Sequence, residues 1–201
     1  TFTDEEIKTL LRSVDRASPT GKRDYAIMLL ATKLGIRSSD IVSLKFENIQ
    51  WENDLISFNQ AKTGKLITYP LLPEVGNAII DYLKFGRPVS NESCCFLQTL
   101  PPYKKMRSGS ICGIVKFNLT RAGINLSGRK HGPHALRHSF AANLLRDKTP
   151  LPVISEALGH SYTQSTMYYI RIDKETLMQC ALDVPLLPTA FYYQKGGLSH
   201  E

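Results

Sequence analysis

Pro133-His134-Ala135-Leu136-Arg137-His138-Ser139-Phe140-Ala141 is the stretch on which the reading of this chain turns, with Leu158-Gly159-His160 and Tyr168-Tyr169 as its continuation. Proline suits the first turn of a helix, so a helix is predicted from Pro133 to about Asp147. It carries His134 and Arg137 three positions apart. Positions i and i+3 share a helical face, with Cβ atoms about 5–6 Å apart. Two cationic or hydrogen-bonding groups then point at one spot, which suits a phosphate better than an apolar core. A helix from Pro150 to Leu158 should follow, closed by Gly159, with His160 just past the cap. Thr163 can cap a further helix through Ile170, which would carry Tyr168 and Tyr169.

Upstream, Thr3-Asp4-Glu5-Glu6 reads as a capping box opening a helix with Ile7, Leu10, Leu11 and Val14 on its apolar face. Ser18-Pro19-Thr20-Gly21 breaks it. A second helix is expected from Lys22 to Leu34, ended by Gly35, and a short third one capped by Ser38 or Ser39. Arg37 then lies beside Asp40, and a surface ion pair is the plain reading of that neighbourhood. Leu44–Trp51, Leu55–Asn59 and Leu66–Pro70 read as three short strands, joined by turns at Asn53-Asp54 and Lys62-Thr63-Gly64. Lys62 therefore sits at a hairpin tip. Helices are expected again over Pro73–Phe85, Ser110–Ala122 and Asp173–Leu182, and Cys94–Leu97 as an extended segment. The fold class is α+β: mostly α-helical with one small three-stranded antiparallel sheet.

The 201 residues carry 25 Lys and Arg against 18 Asp and Glu, a formal charge of +7. That balance favours a polyanionic partner, nucleic acid before membrane. Cys94, Cys95, Cys112 and Cys180 form neither a C-x-x-C pair nor a disulfide framework, which points to a reduced, cytoplasmic setting. No apolar run approaches the roughly 20 residues that span a bilayer.

The residues with chemistry to offer are Arg37, Lys62, His134, Arg137, His160 and Tyr169. Arginine clamps phosphate because its planar fork donates paired, charge-assisted hydrogen bonds. A tyrosine with an ordinary pKa of about 10 is neutral at pH 7 and needs nearby cations or a base to act as a nucleophile. A lysine can protonate a departing oxygen, and histidines can shuttle protons.

In this order and spacing the set resembles the tyrosine recombinase (phage integrase) family. Leu34-Gly35-Ile36-Arg37-Ser38-Ser39-Asp40 is similar to the box around that family's first arginine, and Gln60-Ala61-Lys62-Thr63-Gly64 to its β-hairpin lysine. Pro133–Ala141 resembles its H-x-L-R-H box. Leu158-Gly159-His160 through Tyr169 resembles its third box, with the tyrosine nine residues after the histidine. The resemblance covers about residues 1–182 and implies the tyrosine recombinase catalytic-domain fold. It also implies roles: Tyr169 attacks the scissile phosphate to give a 3′-phosphotyrosyl link, and Arg37 and Arg137 hold the phosphate. Lys62 is the general acid, His134 a base or hydrogen-bond donor, and His160 a phosphate ligand. Asp40 braces Arg37 or a neighbour. No metal and no cofactor is implied. Tyr168 would point about 100° away from Tyr169 on a helix, and His138 reads as structural.

The partner implied is double-stranded DNA, with a homo-tetramer forming on it in the full-length protein and a monomer expected for this domain alone. Family members usually carry an N-terminal DNA-clamping domain, absent from this chain. Residues 183–201 read as a C-terminal tail, which docks on a neighbouring protomer or packs back on its own domain. Two rival functions stay open. His131, His134 and His138 could ligate a metal in a nuclease, although no carboxylate lies close in sequence. A non-catalytic DNA-binding module would keep the fold and form no covalent adduct.

Overall fold

Helix α2 (Pro19–Lys33) is the member around which the others pack. Ser18 caps it, its hydroxyl accepting from the Gly21 N–H at 3.1 Å, and Pro19 occupies the first turn, so it starts three residues before the sequence suggested. Ala26 to Ala31 are all fully buried. A helix apolar on every side belongs inside a domain, and α2 contacts α1 (Asp4–Ser13), α3 (Ser38–Ser43), α4 (Pro73–Phe85), α5 (Ser108–Arg121) and α6 (Pro133–Arg146). The structure, a computed structural model, describes residues 1–159. His160, Tyr168, Tyr169, the helices expected around Thr163–Ile170 and Asp173–Leu182, and the tail lie outside the described residues.

The capping box of α1 is present: Glu6 N–H donates to the Thr3 hydroxyl at 3.2 Å, and the Thr3 N–H donates to the Glu6 carboxylate at 2.8 Å. The sheet is a three-stranded antiparallel meander of β1 (Ile49–Gln50), β2 (Leu55–Asn59) and β3 (Leu66–Pro70). Pairs run from Leu55 with Pro70 to Asn59 with Leu66. Ile67 and Tyr69 point inward and their neighbours outward, the period of two that a half-buried strand requires.

The first strand is shorter than Leu44–Trp51. A 3₁₀ turn at Phe46–Asn48 precedes it and another at Trp51–Asn53 follows, because the Lys45 backbone pairs with Cys94 rather than with β2. Cys94–Leu97 is extended and buried, as expected. Helix α7 (Leu151–Ala157) packs on α6 through a small apolar cluster of Ala141, Ile154 and Leu158. Among the described residues no helix is long and apolar enough to cross a membrane.

Candidate active site

Gly35 creates the first half of the site. It follows α2 in a left-handed conformation (φ +61°), and a Cβ there would lie 2.5 Å from the Phe140 ring on α6. Only glycine adopts that backbone at no steric cost. The turn buries Ile36 and delivers Arg37 to the N-cap position of α3. Neither Ser38 nor Ser39 caps this helix. Arg37 holds the cap position, where its guanidinium, which only donates, makes no cap bond.

Asp40 does not pair with Arg37. It is buried, and its Oδ1 accepts from the backbone N–H of Ala61 at 2.8 Å. The carboxylate therefore fastens the hairpin loop one residue before Lys62. The Nη1 of Arg37 is buried and has no hydrogen-bond partner among the described residues. An unsatisfied buried guanidinium nitrogen is costly, and an anion bound at that spot would satisfy it.

Arg137 shows the opposite arrangement. It is 2% exposed, its Nη1 donates to the Gly35 carbonyl at 2.5 Å, and its Nη2 donates to the Leu158 carbonyl. One side chain on α6 thus ties the turn before Arg37 to the turn before His160. These contacts unite three stretches, the first of them 102 residues before Arg137 and the last 21 after it.

His134 occupies the first turn of α6, on the face of Arg137, and is exposed. Its pKa lies below the usual histidine value. Partial removal of the ring from water is the main cause, followed by the positive charges of Arg137, Arg37, Lys130 and Lys62. The ring is consequently neutral at pH 7 and free to accept a proton. Lys62 contributes to that field, as the two arginines do. Lys62 itself is exposed, in the loop between β2 and β3.

The ring of His138 meets that of His134 edge to face, with centroids 4.7 Å apart. Burial, then His134 and Arg137, lowers the His138 pKa to about 4. His131 Nδ1 lies 3.0 Å from the Arg129 carbonyl, and His134 and His138 meet each other rather than a shared point. Among the described residues no three His, Cys, Asp or Glu side chains gather around one point.

Two further residues join the site, and sequence reasoning assigned neither a role. Tyr69 is buried on β3; burial raises its pKa, opposed by the nearby charges of Arg137 and Arg37. Gln60, also buried, lies at the mouth of the Lys62 loop. The inward parity of Tyr69 on its strand was a usable signal. For Gln60 none was available.

Arg37, Lys62 and Arg137 thus all bear on His134, while His160 and Tyr169 lie outside the described residues. The model of the phage integrase family matches residues 1–176. A protein of Sinorhizobium fredii with an integrase/recombinase name, y4gC, is 37% identical over 182 residues, 90% of this chain and 93% of that one. The tyrosine recombinase XerA of Pyrococcus furiosus is 30% identical over 188 residues, 92% of this chain but 62% of that one. Among solved structures, XerH site-specific recombinase bound to palindromic difH substrate superposes with a TM-score of 0.73 at 22% identity, over 89% of this chain and 51% of that one. The chain thus spans nearly all of one relative and roughly half to two thirds of the others. A helical domain with one small antiparallel sheet, boxes in this order and a family match over most of its length lead to one conclusion: the chain belongs to the phage integrase family, the tyrosine recombinases.

Proposed function

We propose that residues 1–182 are the catalytic domain of a site-specific DNA recombinase that cuts and rejoins strands through a covalent tyrosine link. The observation that carries this reading is that Arg37, Lys62 and Arg137 all act on His134, with a buried Arg37 nitrogen left without a partner among the described residues. In this reading the Tyr169 oxygen attacks the scissile phosphorus as the P–O5′ bond breaks. The tyrosine proton passes to a base, for which neutral His134 is suited, and Lys62 gives a proton to the departing 5′ oxygen. Arg37 and Arg137 neutralise charge on the non-bridging oxygens, which is usually the largest catalytic contribution. His160 adds a further hydrogen bond. A 5′-hydroxyl from a second strand reverses the step, so bond energy is conserved in the phosphotyrosine.

Double-stranded DNA is the partner in this reading, and the basic balance of the chain suits it. A tetramer on DNA, a tail at 183–201 and a cytoplasmic setting belong to the same proposal. Incubation with supercoiled DNA in chelator, then denaturation, digestion and mass spectrometry, tests it. A nucleotide on Tyr169, lost in Tyr169→Phe and kept in Tyr168→Phe, is the expected result. An adduct on Tyr168 would displace the assigned nucleophile. Saturable DNA binding with no adduct would favour a binding module instead.

A further inference from the structure

Gln60 is 2% exposed, although every residue from Ala61 to Leu66 is exposed. A polar side chain buried at the mouth of an exposed loop has a specific reason to be there. Its backbone closes the loop, the N–H donating to the Lys65 carbonyl at 2.9 Å and the carbonyl accepting from the Gly64 N–H at 2.8 Å. Its side-chain Oε1 accepts from the Thr63 hydroxyl at 2.8 Å. Three bonds therefore tie Gln60 to the six-residue loop that holds Lys62.

The far end of the same side chain rests on Gly159. That residue is buried, left-handed (φ +57°), and has no room for a Cβ, which would collide with Gln60 Nε2 and sit 2.8 Å from its Cδ. Gly159 follows Leu158, whose carbonyl Arg137 holds, and precedes His160. Gln60 is thus the place where the hairpin meets the turn held by Arg137.

We propose that Gln60 is a positioning residue, which couples the Lys62 loop to the Leu158–Gly159 turn and so sets the lysine against the rest of the site. Its catalytic consequence rests on the reading of Lys62 as general acid; the coupling itself does not. A glutamine suits the place because one amide can bond within the loop and lie flat on a glycine. Alanine at 60 removes both side-chain contacts and leaves the loop held by its backbone bonds at residue 60 and by Asp40.

Hydrogen exchange on the whole chain tests the coupling without DNA. Gln60→Ala should speed exchange over residues 60–66 by about tenfold or more. Because coupling is reciprocal, it should also speed the Leu158 and Gly159 amides, which donate to Ile154 and Glu156. Gly159→Ala should speed the hairpin loop in turn, with α2 unchanged in both variants. Faster exchange at one site alone would overturn the proposal. Should Gln60→Ala fail to fold, Gln60→Met, which keeps the volume and loses the amide, gives the same pair of readings.

Chemistry supplies the second test. The probe is a pool of DNA duplexes with one bridging 5′ oxygen replaced by sulfur and the flanking base pairs randomised, beside an all-oxygen pool. A thiol has a pKa of about 8.5, so a thiolate departs without a proton donor. Gln60→Ala should form at least tenfold less covalent adduct on the oxygen pool and come within about threefold of the parent chain on the sulfur pool, as Lys62→Ala should. Equal loss on both pools would show a structural role and overturn positioning. If Lys62→Ala is not recovered by sulfur, the general-acid reading falls, and the catalytic consequence with it, while the exchange data still decide the coupling.

Discussion

Arg37 and Arg137 are both arginines beside one candidate phosphate site, and their surroundings predict opposite effects on stability. Arg137 is bonded to the carbonyls of Gly35 and Leu158. A hydrogen bond from a charged donor contributes about 1.5–3 kcal/mol, and removing the donor strands its acceptors. Arg137→Ala should therefore cost about 2–3 kcal/mol, a fall in Tm of about 5–10 °C for a domain of this size. Arg37 is half-buried and has one buried nitrogen with no partner among the described residues, and removing an unsatisfied buried donor relieves its desolvation. Arg37→Ala should leave Tm unchanged or raise it while abolishing covalent adduct on DNA. Thermal scans and adduct gels on the two variants check the contrast, and equal Tm losses would contradict it. Gly35 makes a related case. A left-handed alanine costs about 1–2 kcal/mol, and here the added carbon also presses on the Phe140 ring. Gly35→Ala should lower Tm by several degrees, and Phe140→Leu in the same chain should recover part of that loss.

Between elements, the contact most exposed to pH joins α1 to the loop before α6. Arg129 donates to both oxygens of Glu6 at 2.6 and 2.9 Å and to the Thr1 carbonyl at 2.6 Å, while its guanidinium lies over the Phe2 ring. The Arg129 hydrogen bonds, aided by the Thr3 N–H, hold the Glu6 pKa at about 2 against an ordinary 4.5. A lowered folded pKa means that the unfolded chain binds the proton more readily. The stabilisation is then complete above pH 4.5 and disappears as pH falls from 4.5 through 2. Glu6→Gln should melt below the parent chain at pH 6 and with it at pH 2, and a gap that persists at pH 2 would refute the assignment. Such contacts also mark what was legible in the sequence. Most of the described helices were, because caps and apolar periods are local, as with Thr3 and Glu6 or Gly35 after α2, although Ser18 reads in sequence as a break and not as the cap of α2. The first strand was overextended, since its limits depend on Lys45 pairing with Cys94, far along the chain. Arg37, Lys62, His134 and Arg137 were legible because their boxes are contiguous. The partners of Asp40 and Gln60 were not, because the fold brings them in: Ala61 and Gly159.

At the scale of the whole molecule, the charge of +7 matters less than where carboxylates balance it. Three lysines away from the site are paired: Lys8 with Glu5 at 2.7 Å, Lys22 with Asp81 at 2.7 Å and Lys33 with Glu74 at 3.9 Å. Three lysines around it are not. Lys62 and Lys65 on the hairpin loop and Lys130 ahead of α6 are exposed and make no ion pair among the described residues, and Lys62 and Lys130 both act on His134. A duplex laid across Arg37 and His134 would meet these lysines first. Each phosphate contact releases condensed counterions, so log K falls with log salt concentration by about 0.9 per contact. Lys65→Ala and Lys130→Ala should each reduce that slope by about 0.9 on a random-sequence duplex, and together by nearly 2. Lys22→Ala and Lys33→Ala remove the same formal charge from paired positions and should leave it unchanged. Binding titrations at four or five salt concentrations distinguish the two pairs. If all four variants shift the slope equally, total charge rather than its placement governs DNA binding, and the face assigned to the duplex is wrong.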